Sequence, residues 1–198
     1  MTGYQYRPLK NDEIRLVVLH AGVGDAPIRA SIRHALAGDK AVVYDALSYC
    51  WGDGETKSLI VLDTCDFEVG QDLKSALLHL RKPSIDIVLW VDAICINQQD
   101  VEERSKQVLR MGSIYHRAAT VRAWLGPTAE YSEFAMEYLQ NAPARLLVYN
   151  AMSNYGQAII ALITRPWVSP PLGHTGSGFC NAGCFTLRVS IPSMVNLL

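Results

Sequence analysis

The sequence predicts an α/β domain, a largely parallel sheet flanked by helices and entered through an N-terminal β-hairpin region. Three observations predict it. Ile87-Val-Leu-Trp-Val91 is an unbroken apolar run, the pattern of a strand buried on both faces of a parallel sheet. A helical segment opens at Asp100 and a second strand follows at Val121-Arg-Ala-Trp-Leu125, so strand, helix and strand fit into about 40 residues, enough for a parallel crossover. Upstream, short β-branched stretches alternate with turn residues.

In chain order, Ile14-Arg-Leu-Val-Val-Leu19 is short, apolar and β-branched, hence a strand. Residues 21–27 form a loop, and the alternation over 28–36 favours a strand over a short helix. Tyr44-Asp-Ala-Leu-Ser-Tyr49 alternates as a strand does, and Gly52-Asp-Gly-Glu55 is turn chemistry. Residues 59–62 and 67–69 flank Asp63-Thr-Cys-Asp66 as a hairpin. Over 71–81, Leu73, Ala76, Leu77 and Leu80 share one helical face. Asp100-x-x-Glu103 has capping-box spacing, in which the first side chain accepts from a free amide and the acid reaches back. Val108, Met111, Tyr115 and Ala118 make that helix's apolar stripe, Gly126-Pro127 ends the strand after it, and further helices are expected over 129–140 and 145–164.

A chain of 198 residues, 49% hydrophobic, can bury a core without disulfides or metal. With 18 basic and 19 acidic side chains it lacks the basic surplus of a general nucleic-acid or anionic-membrane binder. No apolar run approaches the roughly 18–20 residues of a membrane span. Met1-Thr-Gly-Tyr4 shows no signal-peptide pattern, and Cys50, Cys65, Cys95, Cys180 and Cys184 are odd in number and irregularly spaced, which fits a reducing, cytoplasmic setting. Composition breaks at Pro166, beyond which Arg188 is the only charged residue. The expected division is a domain over 1–167 and a low-charge, disordered tail over 168–198.

Three clusters could carry chemistry. Tyr44-Asp-Ala-Leu-Ser-Tyr-Cys-Trp-Gly52 crowds aromatic and hydroxyl groups at a strand end, where they serve either a site or a packed aromatic edge. In Leu89-Trp-Val-Asp-Ala-Ile-Cys-Ile-Asn-Gln98 the buried strand delivers Asp92 at its carboxyl end, where open α/β sheets bind ligands. Asn97 and Gln98 follow closely, and short polar side chains there can equally satisfy loop backbone. In Glu102-Glu103-Arg104-x-x-Gln107, Glu103 and Gln107 share a helix face beside Arg104, which is also what a solvated helix start looks like. Gly22-Val-Gly24 lacks the rest of a dinucleotide loop, and Cys180, Cys184 and His174 lack a second ligand pair, so no metal is expected. Cys95 as a nucleophile would need a base from His20, His34, His79 or His116.

Ala46-Leu-Ser-Tyr-Cys-Trp-Gly52, Leu89-Trp-Val-Asp-Ala-Ile-Cys-Ile-Asn-Gln98 and Glu103-Arg104-x-x-Gln107, with Met111, Ile114-Tyr115, Ala118 and Trp124-Leu-Gly126, resemble the fungal heterokaryon incompatibility (HET) domain. Tyr6-Arg-Pro-Leu9 and Ile14-Arg-Leu16 resemble that family's N-terminal edge, so the likeness runs over 4–167. It implies a cytosolic protein of fungal non-self recognition that triggers programmed cell death through a protein partner or self-association. It marks Tyr44, Ser48, Tyr49, Trp51, Gly52, Trp90, Asp92, Cys95, Asn97, Gln98, Glu103, Arg104 and Gln107 as the motif residues of a binding site. The family is distantly similar to TIR domains, some of which cleave NAD with a helix glutamate, and NAD enters only by that analogy.

Relatives continue past Arg165-Pro-Trp167 with a Gln-Glu pair on a helix, the best candidate for such an acid. Here the chain reads Val168-Ser-Pro-Pro-Leu-Gly173, no Glu follows Glu137, and consecutive prolines oppose a helix. The expectation is therefore a signalling or interaction domain, the alternatives being a TIR-like effector without its acid or a non-functional fragment. Val-Ser at 168–169 is also what the common intron donors GTGAGT and GTAAGT encode in frame, so the tail reads as translated intron. Without the missing helix, apolar surface near Trp90 and Trp124 is expected to stay uncovered.

Overall fold

A computed structural model of the chain describes residues 4–51 and 56–127. The chain divides at Leu125, and the account below concerns the unit that precedes it. Gly52, the helices expected over 129–140 and 145–164, and the 168–198 tail lie outside the described residues.

The strands are β1 (Glu13–Leu19), β2 (Arg29–Leu36), β3 (Asp45–Tyr49), β4 (Lys57–Leu62), β5 (Cys65–Gly70), β6 (Ile87–Trp90) and β7 (Thr120–Trp124). The helices are α1 (Gln71–Leu80) after β5, then α2 (Asp92–Cys95) and α3 (Val101–Arg117) between β6 and β7. The seven strands form one sheet in the order β5-β4-β2-β1-β6-β3-β7. The fold is α/β, but the sheet is mixed rather than largely parallel. β3 runs parallel to β6 and β7, and β2 to β4. β1 is antiparallel to both β2 and β6, and β4 to β5. The reason is connection length. A parallel crossover needs about a dozen residues or more, and the short loop over 20–28 can only reverse the chain. Burial on both faces does not reveal direction either: Ile14, Leu16, Val17 and Leu19 are all buried in an antiparallel strand.

The expected hairpin is β4–β5. Asp63 and Thr64 both take positive φ, 47° and 79°, as the two-residue turn of a twisted hairpin requires. The Asp63 carboxylate accepts from the Ile32 amide at 3.1 Å and from the Tyr4 hydroxyl at 2.7 Å. It thus binds the hairpin to β2 and to the N-terminal segment. In α1 the buried residues are Leu73, Ala76, Leu77 and Leu80, the stripe the spacing predicts.

β6 and β7 are not neighbours, because β3 lies between them, with Ala46 opposite Trp90 and Tyr49 opposite Trp124. The chain reaches β6 on one side of β3 and β7 on the other. Such a reversal of strand order is where α/β sheets hold ligands, beyond the carboxyl ends of the strands. α3 is pinned across this region by two tyrosines. Tyr44 donates its hydroxyl to the Ile114 carbonyl at 2.7 Å, and Tyr115 donates to the Leu47 carbonyl at 3.1 Å. Tyr115 also packs edge-on against Trp90, with 5.4 Å between ring centroids. Trp90 is 0% exposed, so that side chain is not part of the uncovered surface expected around it. Trp124 is half-buried, its ring 5.2 Å from that of His79.

Asp100 caps α3 as the spacing predicts, accepting from the Glu103 amide at 3.0 Å. The reciprocal half of the box does not form, because the Glu103 side chain turns inward to Arg15. An ion pair in a buried setting outcompetes a single bond to an exposed amide.

Candidate functional site

The carboxyl ends of β3 and β6 bring Tyr49, Trp51 and Asp92 together. Trp51 donates its indole N–H to Asp92 Oδ2 at 3.0 Å, and the Ala93 amide donates to Oδ1 at 2.7 Å. Both bonds favour the carboxylate, yet burial outweighs them and pushes Asp92 up to about 6. The Tyr49 phenol is also pushed up, by burial first and then by the nearby Asp92 charge. It therefore stays protonated.

Asp92 opens α2, a single turn. The Ile94 and Cys95 amides donate to the Val91 carbonyl at 3.1 and 2.7 Å. The Asp92 carbonyl accepts twice, from the Ile96 amide at 3.1 Å and from Gln98 Nε2 at 3.0 Å, so the Gln98 side chain closes back on the short helix. Asn97 Oδ1 accepts from the Gln99 amide at 3.2 Å, a local side-chain turn. Arg104 Nη1 lies 3.4 Å from the Gln98 carbonyl, to which it donates. Cys95 is 2% exposed and its sulfur accepts from the Val91 amide at 3.3 Å. Burial pushes its thiol up to about 12, which leaves no thiolate for nucleophilic work. His20 pairs with Asp86 at 2.9 Å and His34 with Glu13 at 3.4 Å, so these two candidate bases are engaged elsewhere.

Below this turn lies a residue that sequence reasoning missed as a site member. Arg15 is 1% exposed in β1. Its Nη1 and Nη2 meet Glu103 Oε1 and Oε2 at 2.6 and 2.9 Å, the planar two-bond fork that guanidinium and carboxylate geometry favours. Nη1 also donates to the Cys95 carbonyl at 3.0 Å and Nη2 to the Arg7 carbonyl at 2.7 Å. The guanidinium lies 4.7 Å from the centroid of the Tyr6 ring, within cation–π range. Tyr6 in turn donates to the Ile94 carbonyl at 2.9 Å, and Glu103 Oε1 accepts from the Asn97 amide at 2.7 Å. Register explains the placement. Val17 of β1 sits opposite Leu89 of the antiparallel β6, which carries Arg15 past the end of β6 and under α2. The available signal was a lone arginine inside an otherwise apolar strand run.

Of the remaining described motif residues, Tyr44 and Trp90 pack elsewhere. Tyr44 is buried against α3 and Trp90 against Tyr115, as described above. Ser48 is partly buried within β3, and Gln107 is 4% exposed on the inner side of α3. Among the described residues no group of three or more His, Cys, Asp or Glu side chains could hold a metal ion. Cys180, Cys184 and His174 lie outside them. No described helix is long and apolar enough to cross a membrane.

Fold and site together define an α/β domain whose strand-end motifs are bonded into one another. Residues 44–169 match the family described as Heterokaryon incompatibility protein (HET), and the chain belongs to that family. A relative it matches is heterokaryon incompatibility protein 6, OR allele, of Neurospora crassa, 37% identical over 115 residues. That match covers 48% of this chain and 16% of the relative, so the chain spans a small part of that protein's length. No solved structure matches the chain.

Proposed function

We propose that the chain carries the signalling domain of a cytoplasmic fungal non-self recognition protein. It acts by contact with a protein partner or a second copy, and its output is programmed cell death. Family membership supports the setting. The observation that carries the mode of action is the commitment of Glu103 to the buried Arg15. With Cys95 neutral and Asn97 closing its own turn, the motif residues serve the scaffold that presents a surface. The domain under this reading covers residues 1–167.

A second reading has one observation in its favour. Asp92 sits at the ligand end of the sheet and titrates at about 6, within the range of a working acid or base. Under that reading the chain is a TIR-like effector acting on NAD.

One experiment separates the two. Purified chain is incubated with NAD and nicotinamide release is followed, beside Asp92→Asn. No release from either chain, together with hyphal death on induced expression of both, supports signalling by contact. Release that Asp92→Asn abolishes supports cleavage. A chain with no cooperative melt would sink both.

A further inference from the structure

Among the described residues, nothing covers the outer face of α3. Glu102, Ser105, Leu109, Gly112 and His116 follow one another at alternating steps of three and four residues, and all five are exposed. That is the spacing of a seam along which one helix packs against another. Leu109, at its centre, is 88% exposed. A Cβ added at Gly112 would meet nothing within 4 Å, so a facing backbone can approach closely there.

We propose that this face pairs with the same face of a second copy, α3 against α3, antiparallel and centred on Leu109. Charge decides both occupant and direction. The first turn of α3 is acidic and the last turn basic, with Glu102 at one end of the seam and His116 at the other. An antiparallel pair sets Glu102 against the second copy's His116 at both ends, and also opposes the two helix dipoles favourably. A parallel pair would set like against like. Leu109 then meets Leu109, and Ser105 meets the second copy's Gly112 and Ser113. The symmetry closes at two copies, because one patch serves both sides.

The seam is about 21 Å long at 1.5 Å per residue and a single helix wide, too small a patch to bury the roughly 1,200 Å² of a standard interface. The dimer is therefore weak and forms when copies are concentrated. This inference rests on the self-association form of the proposed function.

Sedimentation equilibrium of the full chain, from low micromolar to about millimolar, is the test. The expected result is a mass that rises with concentration. Leu109→Glu, with a melt matching the parent, should weaken association at least about tenfold by burying like charges at the two-fold. His116→Glu should weaken it, and Glu102→Lys with His116→Glu should restore it. A parent chain that stays monomeric, or association unaffected by Leu109→Glu, overturns the seam; in the latter case self-association through another face still stands. A monomeric Leu109→Glu chain that still kills hyphae upholds the seam and overturns self-association as the signal.

Discussion

Glu102 and Glu103 are neighbours on the first turn of α3, and the structure treats them oppositely. The Glu103 side chain is 11% exposed and holds Arg15 in a fork, while the Glu102 side chain is 79% exposed and pairs with Lys106 one turn on. One step along a helix turns the side chain by about 100°, enough to move it from the strand-end corner to open solvent. The corner gathers most of the residues that mark the sequence. Its polar groups there are largely consumed by one another and by the backbone of α2. The outer face carries none of the residues that resemble the family, and it holds the most exposed large apolar side chain among the described residues. In this domain dense motif signal marks internal scaffold, and the free surface lies on the plain side of the same helix.

Removing Glu103 is the strongest way to break that contrast. Glu103→Ala strands a guanidinium that is otherwise enclosed, whose Nε already lacks a partner. The expected loss is about 3–5 kcal/mol, the range for unpairing a buried charge, read from the midpoint of urea unfolding. Replacing both members, Arg15→Met with Glu103→Gln, should cost less than the single change, because no charge is then left buried. If Glu103→Ala unfolds at the parent's urea midpoint, the corner is not scaffold and its carboxylate is free for other work.

Much of the architecture was readable without coordinates. β1, β3, β6 and the stripe of α1 follow from apolar spacing, and the hairpin from the turn residues over 63–66, which the structure narrows to Asp63-Thr64. Strand direction was not, because burial pattern reports which faces are covered and not which way the neighbour runs. α2 escaped because four residues span too little of a helical period to show one. The Arg15–Glu103 pair escaped for a different reason: its members lie 88 positions apart, and nothing local to either names the other. Asp92 was legible in position, at the end of an apolar run. Its raised pKa was not, since that follows from burial in the folded chain, which outweighs the bonds from the Ala93 amide and Trp51.

Asp92 gives an effect of intermediate size, and its sign is distinctive. The carboxyl is pushed from an ordinary 3.8 up to about 6 by burial. Between those values the folded chain keeps a proton that the unfolded chain releases. Stability is therefore greatest below about pH 4, falls as pH rises through 6, and is level above it. The loss is on the order of 2–3 kcal/mol for a shift of this size. Glu13 and Asp86 act in the other direction, since backbone amide donors (those of Lys10 and Ala21) and histidine neighbours lower both, and their contribution is lost as pH falls. Comparing the parent with Asp92→Asn isolates the Asp92 contribution. The variant should lack the decline between pH 4 and 6, and at pH 8 it should be the more stable chain. A parent and variant whose stability profiles run parallel across that window would show Asp92 to be an ordinary solvated carboxylate.

The smallest expected effect is the sharpest test of the comparison. Glu102→Ala removes a surface carboxylate whose contact with Lys106 is an exposed pair between successive turns. Such pairs contribute little to folding, because water already satisfies both groups and the long side chains lose freedom to meet. Its urea midpoint should coincide with that of the parent, beside the large shift at Glu103. Self-association, by contrast, should weaken measurably, since Glu102 ends the seam on each copy. A residue that changes assembly without changing stability belongs to a surface, and one that changes stability first belongs to the frame. If Glu102→Ala lowers the urea midpoint as Glu103→Ala does, the two faces of α3 are not separate in function, and the division between corner and outer face fails.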